Sequence, residues 1–290
     1  MNEQKPNEFS TVLAFLVILL TIVCWMNIGP LISLSLTLIP TLGEDKWILL
    51  TEFLFRHIPY IMMFLALFFG SNFVLKTKLR ELVRGTGRKL DLKIAAISFA
   101  LYFFILGLFS LFSYKTIEID PASYKEKLLF VLPVLLLTPI QTISEELFFR
   151  AIPARLLYHN ELPHSIKSYI PLSLVSGLIF LIPHLGNPEV LKSGDGMIAV
   201  VYYFLWGFLS MALALYTDGF EIPIAMHMAN NIYAALIVNY TNSALPTKAI
   251  FINRSSDNSL LLLFEAIVIY VIFFAFAYAL KRKNYFESRN

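Results

Sequence analysis

Cysteine is nearly missing from this chain: Cys24 stands alone, so no intrachain disulfide can form. Charge is scarce as well. Asp, Glu, Lys and Arg supply 15% of the 290 residues, against about 25% in a soluble globular domain. No polar stretch of domain size interrupts the apolar ones, which excludes a soluble enzyme held by a single anchor. Internal repeats of about 20–50 residues and low-complexity segments are absent, and nothing in the pattern calls for a nucleic-acid partner. What remains is apolar: 58% of residues are hydrophobic and the mean hydropathy is +0.70. The composition reads as an all-α, polytopic membrane helix bundle, one integral membrane domain over residues 1–290 whose first apolar segment is retained rather than cleaved.

A spanning helix needs about 20 mostly apolar residues. That length predicts about eight spans, near 11–36, 48–75, 92–113, 128–150, 169–186, 198–217, 221–241 and 259–280. Between the second and third, Lys76, Lys78, Arg80, Arg84, Arg88, Lys89 and Lys93 outnumber Glu81 and Asp91. A second basic stretch, Lys281-Arg282-Lys283, follows the last span. The loops around residues 43–46 and 118–126 carry no basic excess. Excess Lys and Arg mark the cytoplasmic side, so both termini are expected there, with the basic loop a solvated face near lipid headgroups.

Ionisable side chains inside spans are costly and usually face a wet cavity or one another. In the second span Glu52 and Arg56 lie at i,i+4 with His57 adjacent, close enough to the span's start to read as a structural pair. The fourth to seventh spans hold more. Thr142-Ile-Ser-Glu145-Glu146-Leu-Phe-Phe-Arg150 closes an apolar run, Phe180-Leu-Ile-Pro-His184 ends another, and His227 and Asn231 share one helical face. Asp195 and Asp218 read as turn residues.

Neighbouring residues on a helix point about 100° apart, so Glu145 and Glu146 are not expected to face the same way. Glu146 and Arg150, one turn apart, can pair. Glu145 is then the carboxylate without a local cation, the state suited to a general base. A Glu beside a His can hold and deprotonate water, and a second His with an Asn amide can donate to an oxyanion. That is peptide hydrolysis by activated water. The motifs of the other intramembrane proteases, HExxH, GxSxG and the aspartyl Gly-x-Gly-Asp, do not occur.

Together these residues resemble a known family. Glu145-Glu146-Leu-Phe-Phe-Arg150 is similar to the EExxxR motif of the CPBP family (CAAX proteases and bacteriocin-processing enzymes, also called Abi). Phe180 to His184 resembles its FxxxH, and His227 to Asn231 its HxxxN, with Leu205-Trp206-Gly207-Phe208 as a softer match. The likeness covers about residues 125–240, the protease-like core, and implies an intramembrane endopeptidase similar to the type II CAAX prenyl protease. Carried over, Glu145 activates water with His184 assisting, His227 and Asn231 form the oxyanion hole, and Glu146 with Arg150 braces the helix.

The family is traditionally called metalloproteases. Glu145, His184 and His227 would be the ligands if zinc is bound, but HxxxN offers an amide where a zinc site wants a stronger ligand, which favours metal-independent chemistry. The implied substrate is a membrane-associated peptide or protein, and the implied setting a bacterial plasma membrane. Rival readings are a non-catalytic scaffold or regulator of the same fold and a transporter, against which stand the complete motifs and the missing inverted repeat. One geometric demand remains. For Glu145 to meet His184 in depth, the fourth helix is expected to run on through Ala151-Ile-Pro-Ala-Arg-Leu-Leu-Tyr158.

Overall fold

The computed structural model describes residues 11–37, 45–85, 87–158, 162, 165–192, 196–240, 243–245, 247–254, 259–283 and 285–286. The polar N-terminus, residues 43–44 and Asp195 lie outside these. Helix α1 (Thr11–Thr37) packs on α2, which runs from 45 to 74; each contains a π turn, at Cys24–Ile28 and Gly70–Val74. The short α3 (Leu79–Arg84) precedes α4 (Leu92–Phe112). Helix α5 (Tyr124–Tyr158) has a π turn at Leu147–Ala151, and is followed by α6 (Ile166–His184) and the four-residue α7 (Pro188–Leu191). Helices α8 (Gly196–Thr217), α9 (Glu221–Leu236) and α10 (Ser259–Arg282) complete the bundle.

Among the described residues six helices are long and apolar enough to cross a membrane: α1, α2, α4, α5, α8 and α10. Their outward faces carry Phe104, Leu111, Leu132, Leu136, Phe264 and Val271, each more than half exposed. In water such a surface would aggregate; in lipid it is the solvated one. This is an integral membrane protein. The expected fifth and seventh spans, near 169–186 and 221–241, are α6 and α9, and both differ from the rest. Helix α9 has only 16 residues, and ten of them, from Glu221 to Ala235, are buried. At 1.5 Å per residue it reaches about 24 Å, short of a bilayer's ~30 Å hydrocarbon core. A helix enclosed by others need not match that thickness, because its backbone and side chains meet protein rather than lipid.

Helix α5 does continue to Tyr158, as the depth argument required. It begins at a capping box, with Ser123 Oγ accepting from Glu126 N–H and the Glu126 carboxylate accepting from Ser123 N–H. Pro133 and Pro139 lie inside it. The π turn comes directly after Glu146 and includes Arg150; such bulges recur at functional sites because they re-aim side chains within a helix.

Helices α6 and α8 meet at small residues. A Cβ on Gly207 would come within 2.9 Å of Gly177 Cα, of Phe180 Cβ and of the Ser176 carbonyl oxygen. The Ser176 hydroxyl donates to the Gly207 carbonyl at 3.1 Å. Close small-residue contact is a usual means of helix association in lipid, and here it sets where Phe180 stands.

In the basic loop Lys76, Lys78, Arg80, Lys89 and Lys93 are exposed as expected of a solvated face, but two arginines turn inward. Arg84 is buried and pairs with buried Glu221 at 3.6 Å. Arg88 pairs with Asp218, which sits at φ 53° in the turn between α8 and α9. Glu221 also accepts from Asp91 N–H at 3.1 Å, and Arg155 of α5 donates to the Leu82 carbonyl at 3.2 Å. The loop folds inward because α5 and the α8–α9 turn supply partners that the sequence alone does not reveal. At the opposite end of α4 and α9, strands β1 (Ile117–Ile119), β2 (Val238–Tyr240) and β3 (Phe251–Asn253) form a small sheet. Its order is β1-β3-β2, with β1 antiparallel and β2 parallel to β3.

Replacing Glu221 by Ala leaves Arg84 buried without its anion. We expect a loss of about 3–5 kcal/mol, measured as a lowered unfolding midpoint in detergent. Replacing exposed Glu118, whose partner Arg254 is also exposed, is expected to cost under about 1 kcal/mol.

Candidate active site

Glu145 and Glu146 occupy the last turn of α5 before its π turn, and both are buried. Glu146 pairs with Arg150 as its spacing predicts, and Arg150 is itself fully buried. The guanidinium lies over the Phe180 ring with its carbon 4.4 Å from the centroid. Helix α6 therefore contributes a π face to the cation as well as His184 to the site.

The two glutamates are less separate than helical angles imply. His227 of α9 reaches both, with Nδ1 2.8 Å from Glu146 Oε1 and Nε2 3.6 Å from Glu145 Oε2. An imidazole carries nitrogens on two edges, so one ring can bridge carboxylates that diverge around a helix. The Nδ1 proton goes to Glu146, which leaves Nε2 facing Glu145. Glu146 is balanced by Arg150.

Glu145 is also not without a partner on its own helix. Gln141, one turn earlier, donates Nε2–H to Glu145 Oε1 at 3.2 Å. The sequence signal for this contact is an amide at i−4 in an otherwise apolar run, which a count of charges does not register. Tyr60 of α2 sets its hydroxyl against Gln141 and Glu145.

His184 is held differently. Its Nδ1 donates to the Phe180 carbonyl at 2.6 Å, and its ring stacks between Phe180 at 4.3 Å and Tyr203 of α8 at 4.4 Å. The Phe180 ring in turn meets His227 at 6.0 Å. Asn231 accepts from Asn230 Nδ2 at 3.1 Å, and Asn230 accepts from the Tyr102 hydroxyl at 3.2 Å. Glu145, His184, His227 and Asn231 all line one cavity of about 600 Å³. The depth conflict between Glu145 and His184 is thereby removed, since the continued α5 carries Glu145 to the level of the cavity. The same space is lined by His57 and Arg56 of α2 and by Glu265 of α10, a carboxylate inside an apolar span that the motif search passed over.

Among the described residues no three His, Cys, Asp or Glu side chains converge as a metal-binding group. His227 turns one nitrogen to each glutamate, and the remaining polar group on its helix face is an amide. The donor set as arranged does not fit a three-ligand zinc site, and no step below passes through a metal.

Replacing Arg150 by Met would strand Glu146 in an apolar interior with only His227 opposite. We expect about 3–5 kcal/mol of destabilisation, read as a fall in the thermal unfolding midpoint. Arg150→Lys is expected to recover part of it, keeping the charge but losing the planar contact with Phe180.

Comparison with known proteins points the same way. Residues 126–233 match the family model described as type II CAAX prenyl endopeptidase Rce1-like. A protein of Bacillus subtilis (strain 168), named as the uncharacterized protein YyaK, is 26% identical over 231 residues, covering 75% of this chain and 74% of its own length. No solved structure matches. The matched stretch, residues 126 to 233, holds all three motifs and is similar to the Rce1-like family.

Proposed function

We propose that the protein is an intramembrane endopeptidase of the CAAX-protease type that hydrolyses peptide bonds of membrane-associated peptides or proteins with water activated by Glu145. The observation that carries this is the cavity itself. A carboxylate, two imidazoles and an amide, drawn from α5, α6 and α9, face one space inside a membrane bundle.

In the reactive state Glu145 is anionic and His227 cationic. Glu145 takes a proton from water, and the hydroxide oxygen bonds to the scissile carbonyl carbon. His184, its Nδ1 committed to the Phe180 carbonyl, offers Nε2 to orient that water. The carbonyl oxygen gains negative charge and accepts from His227 Nε2–H and the Asn231 amide. As the C–N bond breaks, the leaving nitrogen takes the proton held by Glu145, so acid and amine products form and the base is regenerated. Glu146 and Arg150 do no bond chemistry in this scheme. They hold His227 by Nδ1, so that Nε2 stays aimed at the cavity.

The basic stretches at 76–93 and 281–283 favour cytoplasmic termini, and the Bacillus relative favours a bacterial plasma membrane. A cavity of about 600 Å³ set between helices suits an extended segment of a membrane-bound substrate better than a folded domain.

Purified full-length protein in detergent, offered a panel of quenched-fluorescent peptides with and without a lipid tail, tests the reading. Glu145→Gln is expected to lower kcat/KM at least about 100-fold and Asn231→Ala at least about 10-fold, with folding unchanged. Cleavage by Glu145→Gln at the wild-type rate would overturn the assignment. Activity is expected to persist through strong chelation; a loss that added zinc restores would return the zinc version.

A further inference from the structure

The sequence pattern that presents His184 occurs twice. Phe53-Leu-Phe-Arg-His57 on α2 repeats the spacing of Phe180-Leu-Ile-Pro-His184, although it lies outside the family-matched region. The geometry repeats too. His57 Nδ1 donates to the Phe53 carbonyl at 2.8 Å, and its ring stands 4.2 Å from the Phe53 ring at 41°. The corresponding His184 values are 2.6 Å, 4.3 Å and 32°. Both imidazoles line the same cavity, from different helices.

His57 was expected to sit beside a surface pair. The pair exists, Arg56 donating to Glu52 at 2.6 Å with both half-exposed, but His57 is 2% exposed and lines the cavity wall. Its ring lies against Gln141. Nδ1 is occupied, so Nε2 is the atom available, and it is buried without a hydrogen-bond partner; so is Gln141 Oε1. With Nδ1–H committed to Phe53 and Nε2 bare, two buried acceptors stand beside one another and call for a water that donates to both. The far end of the same amide donates to Glu145 Oε1.

The geometry points to His57 as a positioning residue for Glu145, acting through the Gln141 amide; this rests on Glu145 being the base of the proposed reaction. An amide can turn over. The flipped form would set Gln141 oxygen against the Glu145 carboxylate, two acceptors in conflict. A water held by His57 Nε2 donates to Oε1, keeps that oxygen on the His57 side and so keeps Nε2–H on Glu145. The second Phe-x-x-x-His thus serves the base from behind, while the first serves the water from in front.

The test combines His57→Phe, Gln141→Leu and the double variant in full-length protein, with the peptide panel above. Each single change is expected to lower kcat about 10-fold with KM within about twofold, and the double variant to be no worse than either, because both cut one chain of contacts. His57→Gln, whose amide can donate to Gln141, is expected to regain part of the loss. Wild-type kcat in His57→Phe, or losses that multiply in the double variant, would overturn the proposal.

A second readout needs no turnover. Diethyl pyrocarbonate acylates a bare imidazole nitrogen, and mass spectrometry reports the rate at His57. Coupling between sites is reciprocal, so Glu145→Gln is expected to change that rate at least twofold when Gln141 is present and not in Gln141→Leu. A rate at His57 indifferent to Glu145 in both backgrounds would overturn the link. If the wild type cleaved nothing while this coupling held, the endopeptidase reading would fall and the His57–Gln141–Glu145 link would stand.

Discussion

An ionised carboxylate buried in an apolar interior has to be met by positive charge and by hydrogen bonds, and the Glu146–Arg150 pair meets that demand at the centre of this bundle. Three helices depend on it. Arg150 lies over Phe180 and so seats α6, while Glu146 takes the Nδ1 proton of His227 and so seats α9. With those two helices docked, His184, His227 and Asn231 face the same cavity as Glu145. The pair stabilises the site by fixing where its neighbours stand more than by its own net energy, which for a buried ion pair is small once desolvation is counted.

Around that centre the polar groups divide by depth. In the middle lie Glu145, His227, Gln141 and Asn231, around the cavity. At one end the buried Arg84–Glu221 pair and the Arg88–Asp218 pair tie the 79–91 segment to the turn that starts α9. At the other end the three-stranded sheet closes over the cavity, with Ile117, Tyr240 and Asn253 among its lining residues. Helix α9 is thus fixed at its start by charge, at its middle by His227 and at its finish by a strand. That explains how a helix of 16 residues, too short to cross lipid by itself, keeps its register.

The long helices were legible because lipid imposes length and apolarity directly on sequence. Residues near 92–113 and 198–217 read correctly as spans for that reason. The continuation of α5 to Tyr158 was inferred from a functional demand rather than from hydropathy, since Arg150 and Arg155 interrupt the apolar run. Arg155 is tolerated there because it reaches carbonyls of the 82–83 segment. In the basic loop only Arg84 and Arg88 depart from the expected solvated face, because charge count gives a side of the membrane but not which arginines find acidic partners and turn inward.

The amino-acid sequence by itself determined the class of molecule, the helices, and the i,i+4 pairing of Glu146 with Arg150, because these rest on local spacing and on the cost of polar groups in lipid. It also carried the motif residues in order. Which groups meet across helices was decided only by the tertiary structure: His227 bridging both glutamates, Gln141 supporting Glu145, and His57 buried in the cavity wall beside the half-exposed Glu52–Arg56 pair. Periodicity shows which face of a helix a residue occupies. The partner that face meets is set by how neighbouring helices pack, here at Gly177 and Gly207 and around one buried arginine.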